Sequence, residues 1–234
     1  MNFLELKKFY IDEIEKDFFP FWEKAFDYEY GGVFTCFNNQ GTELVSQDKY
    51  TWSQGRFLWL LAHLYEMADE EIINLDKLEL KEMADKTYRF LKENVFFDGY
   101  KCAFTLTRQG QQIEFDGVKD TSIFADTFVL ISFNAYGRVF ENKEALDLAN
   151  LVLKSIKERL DTDNYRTEPY PIDSKFKAHS IPMIMSNCYE ECLLTERQTD
   201  YRYDLDLEEL LFKQIDLILN THAVDDIVYE LITD

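Results

Sequence analysis

The segment KYTWSQGRFLWLL (49–61) carries the residue types of this chain that are best suited to chemistry. On a helix, Trp52, Arg56 and Trp59 fall at i, i+4 and i+7 and share one face. An arginine offers a fixed fork of N–H donors, which suits hydroxyl groups or a carbonyl oxygen. A tryptophan offers an apolar plate for the flat face of a pyranose ring. The segment therefore predicts a binding wall, with Gly55 removing bulk beside Arg56.

A carboxylate, Asp126, lies within the otherwise apolar segment TSIFADTFVLISF. It needs a partner, because an isolated charge is costly to remove from water. Two roles follow from the sequence. Asp126 pairs with Arg56 as part of the core, or it helps to orient a bound substrate. In the first case Arg56 is a structural arginine, and in the second it is free to bind a ligand.

The three histidines form no recognisable catalytic or metal-binding set. His63 is placed on a different face of its helix from Arg56 and is interpreted as a core or interface residue. His179 precedes a helix, as a cap or as part of a pocket, and His222 follows the last turn of another, where a cation suits the helix dipole. Because no spacing matches a metal site, a phosphate loop or a nucleophile elbow, we expect no bound metal.

The charge and the cysteines restrict the partners and the compartment. With 25 basic and 45 acidic residues, the net charge of −20 repels a nucleic acid or an acidic membrane surface. The four cysteines show neither CxxC spacing nor a compact framework, which fits a reducing compartment. The acidic, amphipathic N-terminus is unlike a signal peptide, and no apolar run is as long as a membrane span. We therefore expect a cytoplasmic protein that binds neither nucleic acid nor membranes.

Helical periodicity dominates the chain. Helices are predicted at about 3–19, 51–68, 76–94, 120–140, 143–161, 180–196 and 206–221. Two hairpins are predicted between them, at 31–44 and 98–115.

These elements recur as a repeat. Gly32, Gly99, Asn164 and Asp226 each follow a helix and a turn, at intervals of 67, 65 and 62 residues. Apolar helices alternate with helices that carry a polar stripe, so the first class should line an interior and the second should face solvent. Repeated helical hairpins of this kind predict an all-α fold, an α/α toroid. No linker divides the chain, and we expect residues 1–234 to form a single, incomplete toroid domain.

Three stretches resemble the N-acylglucosamine 2-epimerase family, which includes the renin-binding proteins. They are KYTWSQGRFLWLLAHLY (49–65), KCAFTLTRQGQQIEF with TSIFADTFVLISFNAYGRVF (101–140), and IPMIMSNCYEECL (181–193). The resemblance implies an (α/α)6 toroid and an isomerase that interconverts N-acyl-D-glucosamine and N-acyl-D-mannosamine by deprotonation and reprotonation at C2. It implies that Arg56 is catalytic and that Trp52 and Asp126 bind the substrate. It also implies no cofactor for the chemistry, with ATP or another nucleotide as an activator in many members.

One departure from the family pattern affects the expected function. The catalytic histidines of the family, and a glutamate that supports them, lie in later repeats, and the three histidines here fall outside those motifs. The chain resembles roughly the first three and a half of six hairpins, since a closed ring of this period needs roughly 400 residues. An open arc exposes its apolar inner wall. We therefore expect a homo-oligomer, or a partner chain that supplies the missing repeats.

Three other functions stay open from the sequence. The first is a catalytically inactive sugar-binding or interaction protein derived from the family. The second is a cellobiose- or mannose-type 2-epimerase or isomerase. A glycoside hydrolase on the same scaffold would need two carboxylates at a set separation.

Overall fold

The computed structural model describes residues 2–173 and 175–233 and is built mainly of helices. The α-helices are α1 (Phe3–Glu13), α2 (Phe19–Ala25), α3 (Thr51–Asp69), α4 (Lys77–Asn94), α5 (Ile123–Val139), α6 (Lys143–Asp161), α7 (Ser180–Gln198) and α8 (Leu207–Leu217). π-helical turns join α1 to α2 at Ile14–Phe18 and extend α8 at Ile218–His222. The seven predicted helices are confirmed, and the first of them continues to Ala25. Within the described residues, every helix is too short or too polar to cross a lipid bilayer.

Short strands connect the helices. They are β1 (Cys36–Phe37), β2 (Leu44–Ser46), β3 (Lys49–Tyr50), β4 (Phe96–Phe97), β5 (Lys101–Cys102), β6 (Thr105–Leu106), β7 (Gln112–Ile113), β8 (Phe176–Ala178), β9 (Ala223–Val224), β10 (Ile227–Val228) and β11 (Leu231–Thr233). β3, β6 and β7 form an antiparallel sheet, and the other strands pair as β1–β2, β4–β5, β8–β11 and β9–β10. The predicted hairpins are confirmed as β1–β2 and β6–β7.

The helices pack in the predicted alternation. α3 packs against α5 and α5 against α7, which makes an inner row, while α4, α6 and α8 each pack on the inner helix that precedes them. α5 is buried around most of its circumference, whereas α6 buries one face. The arrangement is a partial α/α toroid, in which the inner helices supply the wall that can face a ligand.

A buried ion network fixes the start of α3. Lys49 has no exposed surface, and its ammonium group donates to Asp27 Oδ2 at 2.9 Å. Arg108 donates to the same carboxylate through two N–H groups, at 2.9 and 3.0 Å. Burial alone would raise the pKa of Asp27, but Arg108 and Lys49 outweigh it and hold that pKa at about 2. The Thr51 N–H donates to the Phe104 carbonyl at 2.9 Å, so the first turn of α3 is held against the β6 region.

The backbones of α3 and α5 approach closely at Gly55. A Cβ atom on Gly55 would lie 2.6 Å from the carbonyl oxygen of Phe128 and 2.7 Å from its carbonyl carbon. Both distances are too short for any side chain, so the absence of one permits the contact. Gly55 therefore determines the separation of the two inner helices beside Arg56.

The variant Gly55→Ala tests this packing. In an open helix the change stabilises by about 1 kcal/mol, because alanine has the higher helix propensity. Here the added methyl group overlaps a backbone carbonyl, and overpacking of this kind costs about 1–3 kcal/mol. We expect a net decrease in the free energy of unfolding, measured by urea titration.

Gly99→Ala is the comparison for backbone strain without overlap, because a Cβ there meets nothing within 4 Å, and its φ of +71° should alone lower the free energy of unfolding by about 1–2 kcal/mol. A free energy of unfolding for Gly55→Ala equal to or above that of the wild type would contradict the packing account.

Candidate functional site

A cavity of about 500 Å³ lies beside the N-terminal turns of α3. Its other walls are formed by residues 167–173 and by the strand pair β8–β11. The side chains that define its chemistry are those of Trp52, Arg56, Phe124, Glu168, Asp173 and Glu230. The cavity therefore combines aromatic surface with one guanidinium group and several carboxylates.

The guanidinium group of Arg56 lies against aromatic rings and not against a carboxylate. Its Cζ is 3.6 Å from the centroid of the Phe128 ring and 5.6 Å from that of the Trp52 ring. Among the described residues, no group makes a hydrogen bond or an ion pair with it. Partial burial lowers the pKa of Arg56, but an arginine stays protonated at neutral pH. Its charged N–H donors are therefore open to a ligand.

Trp52 and Trp59 extend this wall in the two directions along α3. Trp52 is half-buried, lines the cavity and packs edge-on against Phe104, with ring centroids 4.8 Å apart. Trp59 lines a second cavity of about 310 Å³, which Arg56 also borders. The three residues predicted to share one helix face thus line two cavities that meet at Arg56.

Asp126 is fully buried and lies outside both cavities. Its Oδ1 accepts a hydrogen bond from the Arg159 guanidinium on α6 and one from the Cys102 N–H, at 3.0 Å. Burial raises the pKa of Asp126 to about 6, by more than the Arg159 charge lowers it. The predicted pairing with Arg56 is wrong, because an arginine of the outer helix takes that place. A contact between Asp126 and substrate stays a prediction, and full burial argues against it.

His63 lies on the same face of α3 as Arg56, so the prediction of a different face is wrong. Residues seven positions apart in an α-helix differ by only about 20° in direction. Trp59, which lines a cavity with Arg56, has its ring centroid 4.2 Å from that of His63. The Nδ1 of His63 lies 3.0 Å from Glu66 Oε2, and this hydrogen bond, with the charge of Arg138, lowers the pKa of Glu66.

The other two histidines lie close to each other and to the residues just before β11. The ring centroids of His179 and His222 are 5.8 Å apart, and the buried His222 places its Nδ1 3.0 Å from the Tyr229 carbonyl oxygen. His179 is the N-cap residue of α7, as predicted, but its side chain makes no capping hydrogen bond. Neither histidine lines either cavity. Within the described ranges, no three histidine, cysteine or carboxylate side chains are arranged to hold a metal ion.

Three glutamates that line the cavities, Glu168, Glu191 and Glu230, were missed from the sequence. Glu191 accepts hydrogen bonds from the Arg138 guanidinium and from the Trp59 indole N–H, the latter at 3.1 Å. The signal was available, because Glu191 interrupts an apolar helix as Asp126 does. Glu168 lies in a loop, where no periodicity marks it, and its Oε2 is buried without a hydrogen-bond partner among the described residues.

Solved sugar epimerases share this fold. A sugar epimerase from a ruminal bacterium matches 94% of this chain and 56% of its own, with a TM-score of 0.73 and 19% sequence identity. The cellobiose 2-epimerase of Bacillus thermoamylovorans B4167 matches 94% of this chain and 57% of its own, with a TM-score of 0.68 and 20% identity. The fold is therefore that of the (α/α)6 toroid family, present here as a partial toroid.

Sequence relatives point to the same group of enzymes, although no family model matches the chain. The N-acylglucosamine 2-epimerase of Mus musculus is 30% identical over 145 residues, which are 59% of this chain and 32% of that protein. The cellobiose 2-epimerase of Dictyoglomus turgidum is 27% identical over 172 residues, 72% of this chain and 41% of that protein. These matches support membership of the N-acylglucosamine 2-epimerase family. It spans about a third to two fifths of the length of these relatives.

The buried pair of Asp126 and Arg159 should make stability depend on pH. The folded-state pKa of about 6 lies above the ordinary value near 4, so the folded protein holds this proton more tightly than the unfolded chain does. The resulting stabilisation is complete below about pH 4 and is lost as the pH rises through 6. Between these values the wild type should lose up to about 1.4 kcal/mol per pH unit relative to Asp126→Asn.

Urea titrations of both proteins at a series of pH values measure this difference. Asp200→Asn, at an exposed position, is the control for the loss of one carboxylate. A difference that does not change with pH, or that changes in the opposite direction, would contradict the raised pKa.

Proposed function

We propose that the chain is the substrate-recognition part of a sugar C2 epimerase that interconverts N-acyl-D-glucosamine and N-acyl-D-mannosamine. The observation that carries this proposal is the unpaired Arg56 guanidinium, which lies over Phe128 in a cavity shared with Trp52. Sequence similarity supports the reaction class, since the relatives of this chain in Mus musculus and Dictyoglomus turgidum are named as 2-epimerases.

The reaction explains why an open guanidinium is useful. The proton on C2 lies next to the C1 carbonyl of the ring-opened sugar, and its removal places negative charge on oxygen. A charged donor that is already in position stabilises this oxygen more than it stabilises the neutral carbonyl, which lowers the barrier. We assign this role to Arg56. Trp52 binds the apolar face of the sugar in this proposal.

The groups that move the proton come from elsewhere in this proposal. Inversion at C2 needs two of them, because the proton leaves one face of the intermediate and returns to the other. No histidine of the described residues lines the cavity beside Arg56. A second copy of the chain or a partner chain that supplies further repeats would bring the bases. We further propose that the chemistry needs no cofactor, that ATP or another nucleotide is an activator, and that the four free cysteines indicate the cytoplasm.

Binding measurements on Arg56→Ala and Trp52→Ala test the recognition role. Each change should weaken the binding of N-acetylmannosamine by about 1–3 kcal/mol, because sugar oxygens lose charged donors or the ring loses its apolar plate. Isothermal titration calorimetry measures the affinity. Arg89→Ala, at an exposed position on α4, is the matched control and should bind as the wild type does.

Equal affinities for the wild type and Arg56→Ala would remove Arg56 from the site. Tighter binding of cellobiose or mannose than of N-acetylmannosamine would favour the alternative substrates of this family.

Solvent exchange at C2 tests where the bases lie. In deuterated water, proton abstraction from N-acetylglucosamine replaces the C2 proton by deuterium, which proton NMR detects. We expect no exchange by the monomeric 234-residue chain and exchange by associated species, assayed as separate size-exclusion fractions with and without ATP. Exchange by the monomer would contradict the proposal that the bases lie elsewhere. Sugar binding without exchange in every fraction would favour a catalytically inactive sugar-binding protein.

A further inference from the structure

Glu168 lines the cavity, and its carboxylate has no hydrogen-bond or ion-pair partner among the described residues. It is half-buried, and its Oε2 is shielded from solvent without a hydrogen-bond partner. None of the described residues forms an ion pair with its carboxylate. A carboxylate in this position normally finds a donor, because desolvation without one is unfavourable. Because the half-buried Glu168 also lines the cavity, a ligand there can supply a donor to its carboxylate.

The backbone around Glu168 is held in a defined position. The Glu168 N–H donates to the Thr121 carbonyl at 3.0 Å, and the Ile123 N–H donates to the Arg166 carbonyl at 2.9 Å. Between them, Thr167 forms a β-bridge with Ser122. These contacts attach the loop to the start of α5, the helix that carries Phe128. The carboxylate is thus placed relative to Arg56 by main-chain hydrogen bonds and not by its own side-chain contacts.

Arg56 and Glu168 line the same cavity but do not pair with each other. One offers only donors and the other, when ionised, only acceptors. A ligand that both accepts and donates can contact both of them, and the hydroxyl groups and the N-acyl amide of a sugar, through its C=O and N–H, have this property. We propose that Glu168 is a ligand-binding residue that accepts a hydrogen bond from a hydroxyl or N–H group of the sugar that Arg56 also contacts. This inference rests on the function proposed above and adds a second residue to its site.

The charges of the cavity define the class of sugar. Asp173 and Glu230 line it together with Glu168, and Asp173 is paired with Lys175 at 3.3 Å. Two carboxylates, those of Glu168 and Glu230, therefore lack an ion-pair partner among the described residues in a cavity with one guanidinium. A phosphorylated sugar would be repelled by this arrangement, whereas an uncharged sugar would not. The site therefore selects a neutral sugar, and Glu168 contributes to the selection.

Calorimetric titration of Glu168→Ala and Glu168→Gln tests this inference, with N-acetylmannosamine and its 6-phosphate as the two probes. Loss of a hydrogen bond to a charged group should weaken the binding of N-acetylmannosamine about ten- to a hundredfold in Glu168→Ala. Glu168→Gln keeps the shape and removes the charge, so it should weaken the neutral sugar less and raise the relative affinity for the 6-phosphate. Glu93→Gln, at an exposed position on α4, is the matched change of charge and should alter neither affinity.

The outcomes separate this inference from the function on which it rests. Wild-type affinity in Glu168→Ala, together with weakened binding in Arg56→Ala, would overturn the role of Glu168 and leave the proposed function standing. An unchanged preference between the two sugars in Glu168→Gln would overturn its part in selection. A wild-type chain that binds neither sugar would overturn both proposals.

Discussion

The contact between α3 and α5 at Gly55 determines the geometry of the site. Because Gly55 has no side chain, the Phe128 backbone can lie against α3. The same approach places the Phe128 ring under the next residue, with its centroid 3.6 Å from the Arg56 Cζ. The buried network of Lys49, Asp27 and Arg108 fixes the end of α3 at which this happens. The positions of Gly55, Phe128 and Arg56 therefore depend on the same contact between α3 and α5.

Three buried cations have different surroundings from those of Arg56, which is exposed. Lys49, Arg138 and Arg159 each contact a carboxylate, as the cost of burying a charge requires. Arg56 instead lies over an aromatic ring, a contact that contributes about 0.5–2 kcal/mol. Such stacking uses the face of the guanidinium plane, whereas its N–H donors point outward within that plane. The group is therefore held in place while its hydrogen-bonding capacity stays available.

The extent to which the sequence predicted this structure follows from the range of each interaction. The helices and the inner and outer rows were predicted correctly, because helical periodicity is a local property that the chain repeats. The partner of Asp126 was predicted wrongly. Arg159 lies on another helix, and no sequence pattern near Asp126 distinguishes it from Arg56. Glu168 gave no signal, because its position depends on hydrogen bonds to residues more than forty positions earlier. Sequence patterns thus identify the helix that lines the candidate site, whereas tertiary contacts determine which charged side chains lack an ion-pair partner.

A crystal structure of the chain with N-acetylmannosamine tests most directly whether Arg56 is held open for a sugar. The account predicts the sugar in the cavity beside Trp52, with one of its oxygens about 3 Å from a nitrogen of the Arg56 guanidinium. The guanidinium should keep its place over the Phe128 ring. A sugar bound elsewhere, or an Arg56 side chain that turns to pair with a carboxylate of the protein, would contradict it.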